Sequence, residues 1–195
     1  MKGITLAMLI HERDHGALPP AYSVDEGGEP LHSWRVLLLP YLGQKELYEK
    51  IRLCEPWDSE YNRQFHEEAV QVYRCPSDPV AAPGQTSYSV VVGPDVAFEG
   101  GEGRKLKEFG PTSNDLILLV ERATPVGWMD PTQEIPQAVA ESGFNNEAPA
   151  SGIGSQHQAC ANFGFGNGAV QSLIDSIEPD VFQDLLHGTN TDPEY

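Results

Sequence analysis

Residues 31–58 read LHSWRVLLLPYLGQKELYEKIRLCEPWD, and this stretch decides the fold class. It sets Trp34 before the aliphatic run Val36, Leu37, Leu38 and Leu39, breaks at Pro40-Tyr41, and resumes as an amphipathic segment that leads into Trp57-Asp58. The pattern predicts a helix over 33–39, stopped at Pro40, and a second over about 44–53 carrying Leu47, Tyr48 and Ile51. Upstream, residues 2–15 (KGITLAMLIHERDH) read as a short helix with Ile4, Met8 and Leu9 on one face. Gly16 supplies its C-terminal stop, and Pro19-Pro20 forbids continuation. Residues 21–30 read as a polar loop around Gly27-Gly28. Downstream, residues 59–70 are expected to form a helix capped by Asp58 or Ser59, followed by the turn-rich CPSDPVAAPGQ of 75–85.

The C-terminal half changes character. TSYSVVV (86–92) is β-branched and strand-like, and LILLVER (116–122) is a continuous apolar run expected as a buried strand. ACANFGF (159–165) alternates, placing Ala161, Phe163 and Phe165 on one face. Asn167-Gly168 reads as a two-residue hairpin turn, after which AVQSLI (169–174) returns. That turn would set His157 opposite Glu178 beyond the strand ends, as a contact closing the hairpin; the alternative is an exposed loop histidine. PDVFQDLLH (179–187) then reads as a helix closed by Gly188, and the tail TNTDPEY (189–195) as frayed. Residues 93–114 form a Gly-rich loop, and 129–156 an irregular one with a short strand near 137–140. The sum is an α+β chain with helices first, an antiparallel sheet later, and long irregular loops. One domain is expected over 1–195, with a helix at about 2–15, a helical and loop region at about 32–80, a sheet region at about 86–175 and a C-terminal helix at about 178–187.

Charge narrows the partners. With 29 acids against 12 bases the net charge is −17, which repels phosphate backbones and anionic membranes. No nucleic-acid partner is expected, and no membrane contact by the chain as written. The apolar run Ile4 to Ile10 is far short of the roughly 20 residues a spanning helix needs, and no small-residue cleavage site follows it. As written the chain carries no export address. The three cysteines, Cys54, Cys75 and Cys160, make no C-x-x-C pair, so a zinc ribbon or thioredoxin-type site is excluded. A Cys54–Cys75 disulfide with one leftover thiol, or three free buried thiols, both stay open.

Few motifs carry chemistry. His11-Glu12-Arg13-Asp14-His15 matches H-E-x-x-H, in which histidines at i and i+4 hold zinc and the Glu activates its water. The alternative is a polar helix end, where imidazoles favour the last carbonyls. The metzincin continuation is absent. Trp57-Asp58 and Cys75-Pro76-Ser77-Asp78 place carboxylates where they cap turns or bind calcium. No G-x-S-x-G elbow exists, and Gly100-Gly101-Glu102-Gly103 is too acidic for a phosphate loop.

Taken in order, HGALPPAY (15–22), HSWRVLLLPYL (32–42), EPWDS (55–59), YRCPSD (73–78), TSYSVVVGP (86–94), GGEG (100–103), ILLVE (117–121) and PVGWMDP (125–131) resemble a planctomycete prepilin-like family of unknown function. That family ends in the pattern H-x9-D-G, here His157 with Asn167-Gly168. The pattern residues carried over are Trp34, Pro40, Trp57, Asp58, Cys75, Pro76, Asp78, His157, Asn167 and Gly168. The resemblance implies a pilin-like fold, in which an N-terminal helix packs on an antiparallel sheet. It also implies a non-enzymatic pilin or pseudopilin-like subunit of a pilus or type II secretion-like assembly, at the cell surface or in the periplasm. Its partners would be protein subunits, including copies of itself. If Met1 is the true start, the location is cytoplasmic. No cofactor is implied. Two alternatives stay beside this reading: a zinc-dependent hydrolase using His11, Glu12 and His15, and a calcium-stabilised extracellular binding module.

Overall fold

The computed structural model describes residues 1–78, 81–145 and 152–189. Helix α1 spans Lys2–His15 and ends, as its sequence requires, on Gly16 with φ 78°, whose N–H bonds the Glu12 carbonyl. The segment expected as a polar loop is instead a short hairpin, β1 (Tyr22–Val24) against β2 (Pro30–Ser33). Strands of three and four residues are too short to show a period, which is why the sequence concealed them.

The deciding stretch then folds as α2 (Trp34–Leu38), with the Ser33 hydroxyl accepting the Arg35 N–H at 3.3 Å. Pro40 does not end the helical path. It sits in the first turn of a 3₁₀ segment, Leu39–Leu42, where its missing N–H has no partner to lose, and Gly43 at φ 70° closes the turn. Helix α3 is shorter than expected, Lys45–Lys50. The helix expected over 59–70 reduces to a 3₁₀ turn at Asn62–Phe65 whose N-cap is Tyr61 rather than Ser59, although the Ser59 hydroxyl accepts the Asn62 N–H at 3.1 Å. Asp58 takes no part in that cap and faces Arg63 at 3.8 Å.

Strands β3 (Gln85–Ser89), β5 (Ile117–Gly127), β7 (Cys160–Phe165) and β8 (Val170–Ile174) form an antiparallel sheet in that order. A small parallel pair, β4 (Val91–Val92) with β6 (Ile135–Pro136), lies apart. The strand expected near 137–140 is a helical turn, α4 (Gln137–Ala140), and the Gly-rich loop 93–114 contains 3₁₀ turns over Leu106–Asn114. Helix α5 (Pro179–His187) closes on Gly188 as expected. The expectation for the tail, and parts of those for 75–85 and 129–156, fall on residues outside the described ones. The class is α+β, an N-terminal helix with antiparallel sheet.

The β7–β8 turn differs from the two-residue form. Pairing runs Cys160 with Ile174 through Gly164 with Val170, so three residues, 166–168, make the loop. Gly168 alone has positive φ, at 78°, and its N–H bonds the Phe165 carbonyl at 2.8 Å. This is the type I turn with a left-handed third residue. It shifts the register by one and removes His157 from Glu178.

The sheet separates two apolar clusters. On one face α1 brings Ile4 and Met8 to Leu119, Trp34, Tyr73 and Trp128. On the other, Phe144, Phe163 and Phe182 meet with ring centroids 5.1–5.8 Å apart, joined by Val120 and Leu186. Helix α1 approaches closely because position 164 is glycine: a Cβ there would stand 2.3 Å from the Thr5 hydroxyl. Among the described residues no helix is long and apolar enough to cross a membrane.

Candidate functional site

Arg35, in the middle of the deciding stretch, is fully buried. A buried guanidinium needs a counter-charge and acceptors. It donates to Glu134 at 2.6 Å, to the Ser33 hydroxyl at 2.9 Å and to the Tyr88 carbonyl at 2.6 Å, and its carbon lies 4.5 Å from the Trp34 ring. The second Glu134 oxygen accepts the Val90 N–H at 3.0 Å. Arg122 joins the same network through the Ser89 hydroxyl at 2.7 Å, and burial, then its like-charged neighbour Arg35, brings its pKa down to about 10. This network pairs Arg35 with its counter-charge, leaves only its buried Nε without an acceptor, and holds α2 to β3.

A different arrangement surrounds Glu121. Its carboxylate, beside Arg122 at the end of the apolar run of β5, has a side chain 4% exposed and lies on the α1 face of the sheet, as do Leu119 and its pairing partner Tyr88. One oxygen, Oε2, accepts both the backbone N–H of Asn162 at 2.8 Å and its side-chain amide at 3.1 Å. Asn162 is itself oriented by the Ser172 hydroxyl at 2.6 Å. The other oxygen, Oε1, lies 3.8 Å from Nε2 of His157. Cys75 completes the group: ligand atoms of Cys75, Glu121 and His157 all lie within 4.8 Å of one another. Among the described residues no other three His, Cys, Asp or Glu side chains converge so closely.

Each member is positioned by its own element. Cys75 follows the 3₁₀ turn Gln71–Tyr73, and its N–H bonds the Ser87 hydroxyl at 3.2 Å. That hydroxyl donates to Asp78 at 2.9 Å, and Asp78 also receives the Ala81 N–H at 3.3 Å, so this carboxylate organises the Cys75–Asp78 turn. Glu121 is fixed by strand pairing with Tyr88. His157 stands in the loop before β7, where its N–H bonds the Ser155 hydroxyl at 3.1 Å. Ala159, two residues on, holds φ 58°, an uncommon conformation for alanine, and brings the chain back into the sheet. Burial pushes the Cys75 thiol up, and the nearby Glu121 adds to the shift.

The H-E-x-x-H segment is placed elsewhere. His11 and His15 face each other on the last turn of α1, ring centroids 4.3 Å apart. His11 Nδ1 bonds the Ala17 carbonyl at 3.1 Å and His15 Nε2 the Tyr41 hydroxyl at 2.8 Å. Burial lowers the His11 pKa. Glu12, like His11, is half-buried, the helix end from Arg13 to Gly16 is exposed, and among the described residues no third ligand gathers there. Of the remaining pattern residues, Trp34 is core and Trp57 stacks on His66 at 4.9 Å. Pro76 is exposed, and the Asn167 side chain accepts the Ala169 N–H at 2.8 Å. All three cysteines are free; Cys54 is exposed, and Cys75 and Cys160 are half-buried, so neither a disulfide nor three buried thiols describes them.

The pattern residues Cys75, Asp78 and His157 thus come together, while Trp57, Asp58, Asn167 and Gly168 do not join them. Sequence reading did not single out Glu121 or Asn162. The available signal was a carboxylate inside an apolar strand, a place where burial demands partners. The model of the family described as "Protein of unknown function (DUF1559)" matches residues 1–115. No curated protein and no solved structure matches the chain.

Proposed function

The chain belongs to the DUF1559 family of proteins of unknown function, and on that premise we propose that it is a non-enzymatic structural subunit of pilin or pseudopilin type, assembling with other protein subunits at the cell surface or in a secretion apparatus. The observation that carries this reading is that α1 is apolar on both its buried and its exposed face. Its inner face, Ile4, Ala7 and Met8, is sealed against the antiparallel sheet. Its outer face presents Leu6 and Ile10, 41% and 36% exposed and one helical turn apart. A helix clamped on one side and apolar on the other is suited to pack between subunits. The net charge of −17 opposes indiscriminate association, so contact would be specific and favoured by salt.

Sedimentation velocity over a wide concentration range, at low and moderate salt, tests this. Self-association is expected for the wild type and its loss for the Leu6→Glu, Ile10→Glu double variant, with an unchanged thermal midpoint. A wild type that stays monomeric throughout and behaves as the variant does would overturn the α1 interface.

A further inference from the structure

We propose that Cys75, Glu121 and His157 form a binding site for one zinc-class divalent ion, tying the Cys75–Asp78 turn, strand β5 and the loop before β7 together. The donors are one thiol, one carboxylate and one imidazole, a set that favours zinc over calcium or magnesium, which take oxygen ligands alone.

Geometry supports the assignment. Zinc bonds of about 2.0–2.3 Å place tetrahedral ligand atoms roughly 3.3–3.8 Å apart. The Glu121 to His157 pair already stands at 3.8 Å, and the whole set lies within 4.8 Å. The rigid member is Glu121, buried in the sheet. The adjustable members are the half-buried Cys75 and His157, the latter with its side chain 33% exposed. Small side-chain rotations of these two close the remaining gap.

The surroundings match what a ligating carboxylate requires. Asn162 holds Oε2 with two N–H groups and leaves Oε1 directed at the other donors. Such outer hydrogen bonds orient ligands and raise metal affinity. A small cavity bordered by Asp78, Ser87, Ser155 and Gln156, with Arg122 also in its wall, adjoins two of the three donors, Cys75 and Glu121. The thiol, held protonated by burial in the metal-free protein, would give up its proton to the ion. The site is separate from His11 and His15.

The reduced full chain, with no added N-terminal residues, is titrated with zinc against a chromogenic chelator and, in parallel, with cobalt(II) as a spectroscopic substitute. One ion per chain is expected, with a thiolate-to-cobalt charge-transfer band and a raised thermal midpoint. Cys75→Ser should abolish the band, and His157→Ala, a change at a partly exposed loop, should abolish stoichiometric binding while the protein stays folded. Asn162→Ala should weaken binding by about 10–100-fold. The proposal is overturned if the His157→Ala protein binds zinc as the wild type does, if no ion binds in stoichiometric amount, or if His11→Ala rather than Cys75→Ser removes the cobalt band.

Discussion

Glu134 and Glu121 are both buried carboxylates, with side chains 5% and 4% exposed, yet the fold satisfies them differently. Glu134 is enclosed: Arg35 donates to it, and the Val90 N–H takes up its second oxygen. Glu121 has one oxygen fully occupied by Asn162 and the other facing a thiol and an imidazole. A buried charge with a full set of partners is a structural joint. A buried charge with one lone-pair side turned toward adjustable ligands has capacity left for something else.

The contrast is sharpest under truncation. Glu134→Ala leaves Arg35 buried beside Arg122 with no counter-charge, and the expected loss is about 3–5 kcal/mol in urea unfolding. Glu121→Ala strands no opposite full charge and leaves the Asn162 donors and the Cys75 thiol without their acceptor, so about 1–3 kcal/mol is expected in the metal-free protein. Equal losses at the two sites would erase the distinction.

The cover over the Glu121 face is tested by Gly164→Ala. The new Cβ meets the Thr5 hydroxyl at 2.3 Å and lifts α1, with an expected cost of about 1–3 kcal/mol. Thr5→Ala should restore part of that loss, and a double-mutant cycle showing strict additivity would mean that α1 does not press on the sheet here.

Acidification separates buried imidazoles from buried carboxylates. Burial lowers the folded-state pKa of His32 and of His11 below the ordinary value of 6.5. The unfolded chain therefore takes up protons near pH 6.5 while the folded chain does not. Stability is full above that pH and falls as pH drops from 6.5 toward the lowered folded values. Denaturation curves between pH 7.5 and roughly 5 should show this decline, and His32→Gln should make it shallower. An unchanged slope would place the titration elsewhere. The smallest effect is expected at His157: without metal, His157→Ala should shift stability by no more than about 0.5 kcal/mol, because the ring is partly exposed and its carboxylate contact is long.

Much of this architecture could be read from local pattern. α1, β5, the β7–β8 hairpin and α5 each carry a period or a stop signal, such as Gly16 or Gly188, that acts within a few residues. The β1–β2 hairpin was missed because strands so short have no period. The 59–70 segment failed as a helix because Asn62 is diverted into bonds with the Arg52, Glu55 and Pro56 carbonyls. The hairpin turn was displaced by one residue because Gly168, not Asn167, takes the positive φ. The candidate site was the least readable part. Cys75 and His157 were picked out by resemblance, but Glu121 lay inside an apolar run, and the three meet only through strand pairing and the loop before β7. The contiguous H-E-x-x-H letters suggested chemistry more strongly, and the fold gives them a helix end.

The most direct measurement is anomalous diffraction at the zinc edge from crystals grown with one equivalent of zinc. A single peak about 2.0–2.3 Å from Cys75 Sγ, a Glu121 oxygen and a His157 nitrogen, with none beside Glu134, is the result expected. A map without a peak at Glu121, or with its peak between His11 and His15, would contradict the account.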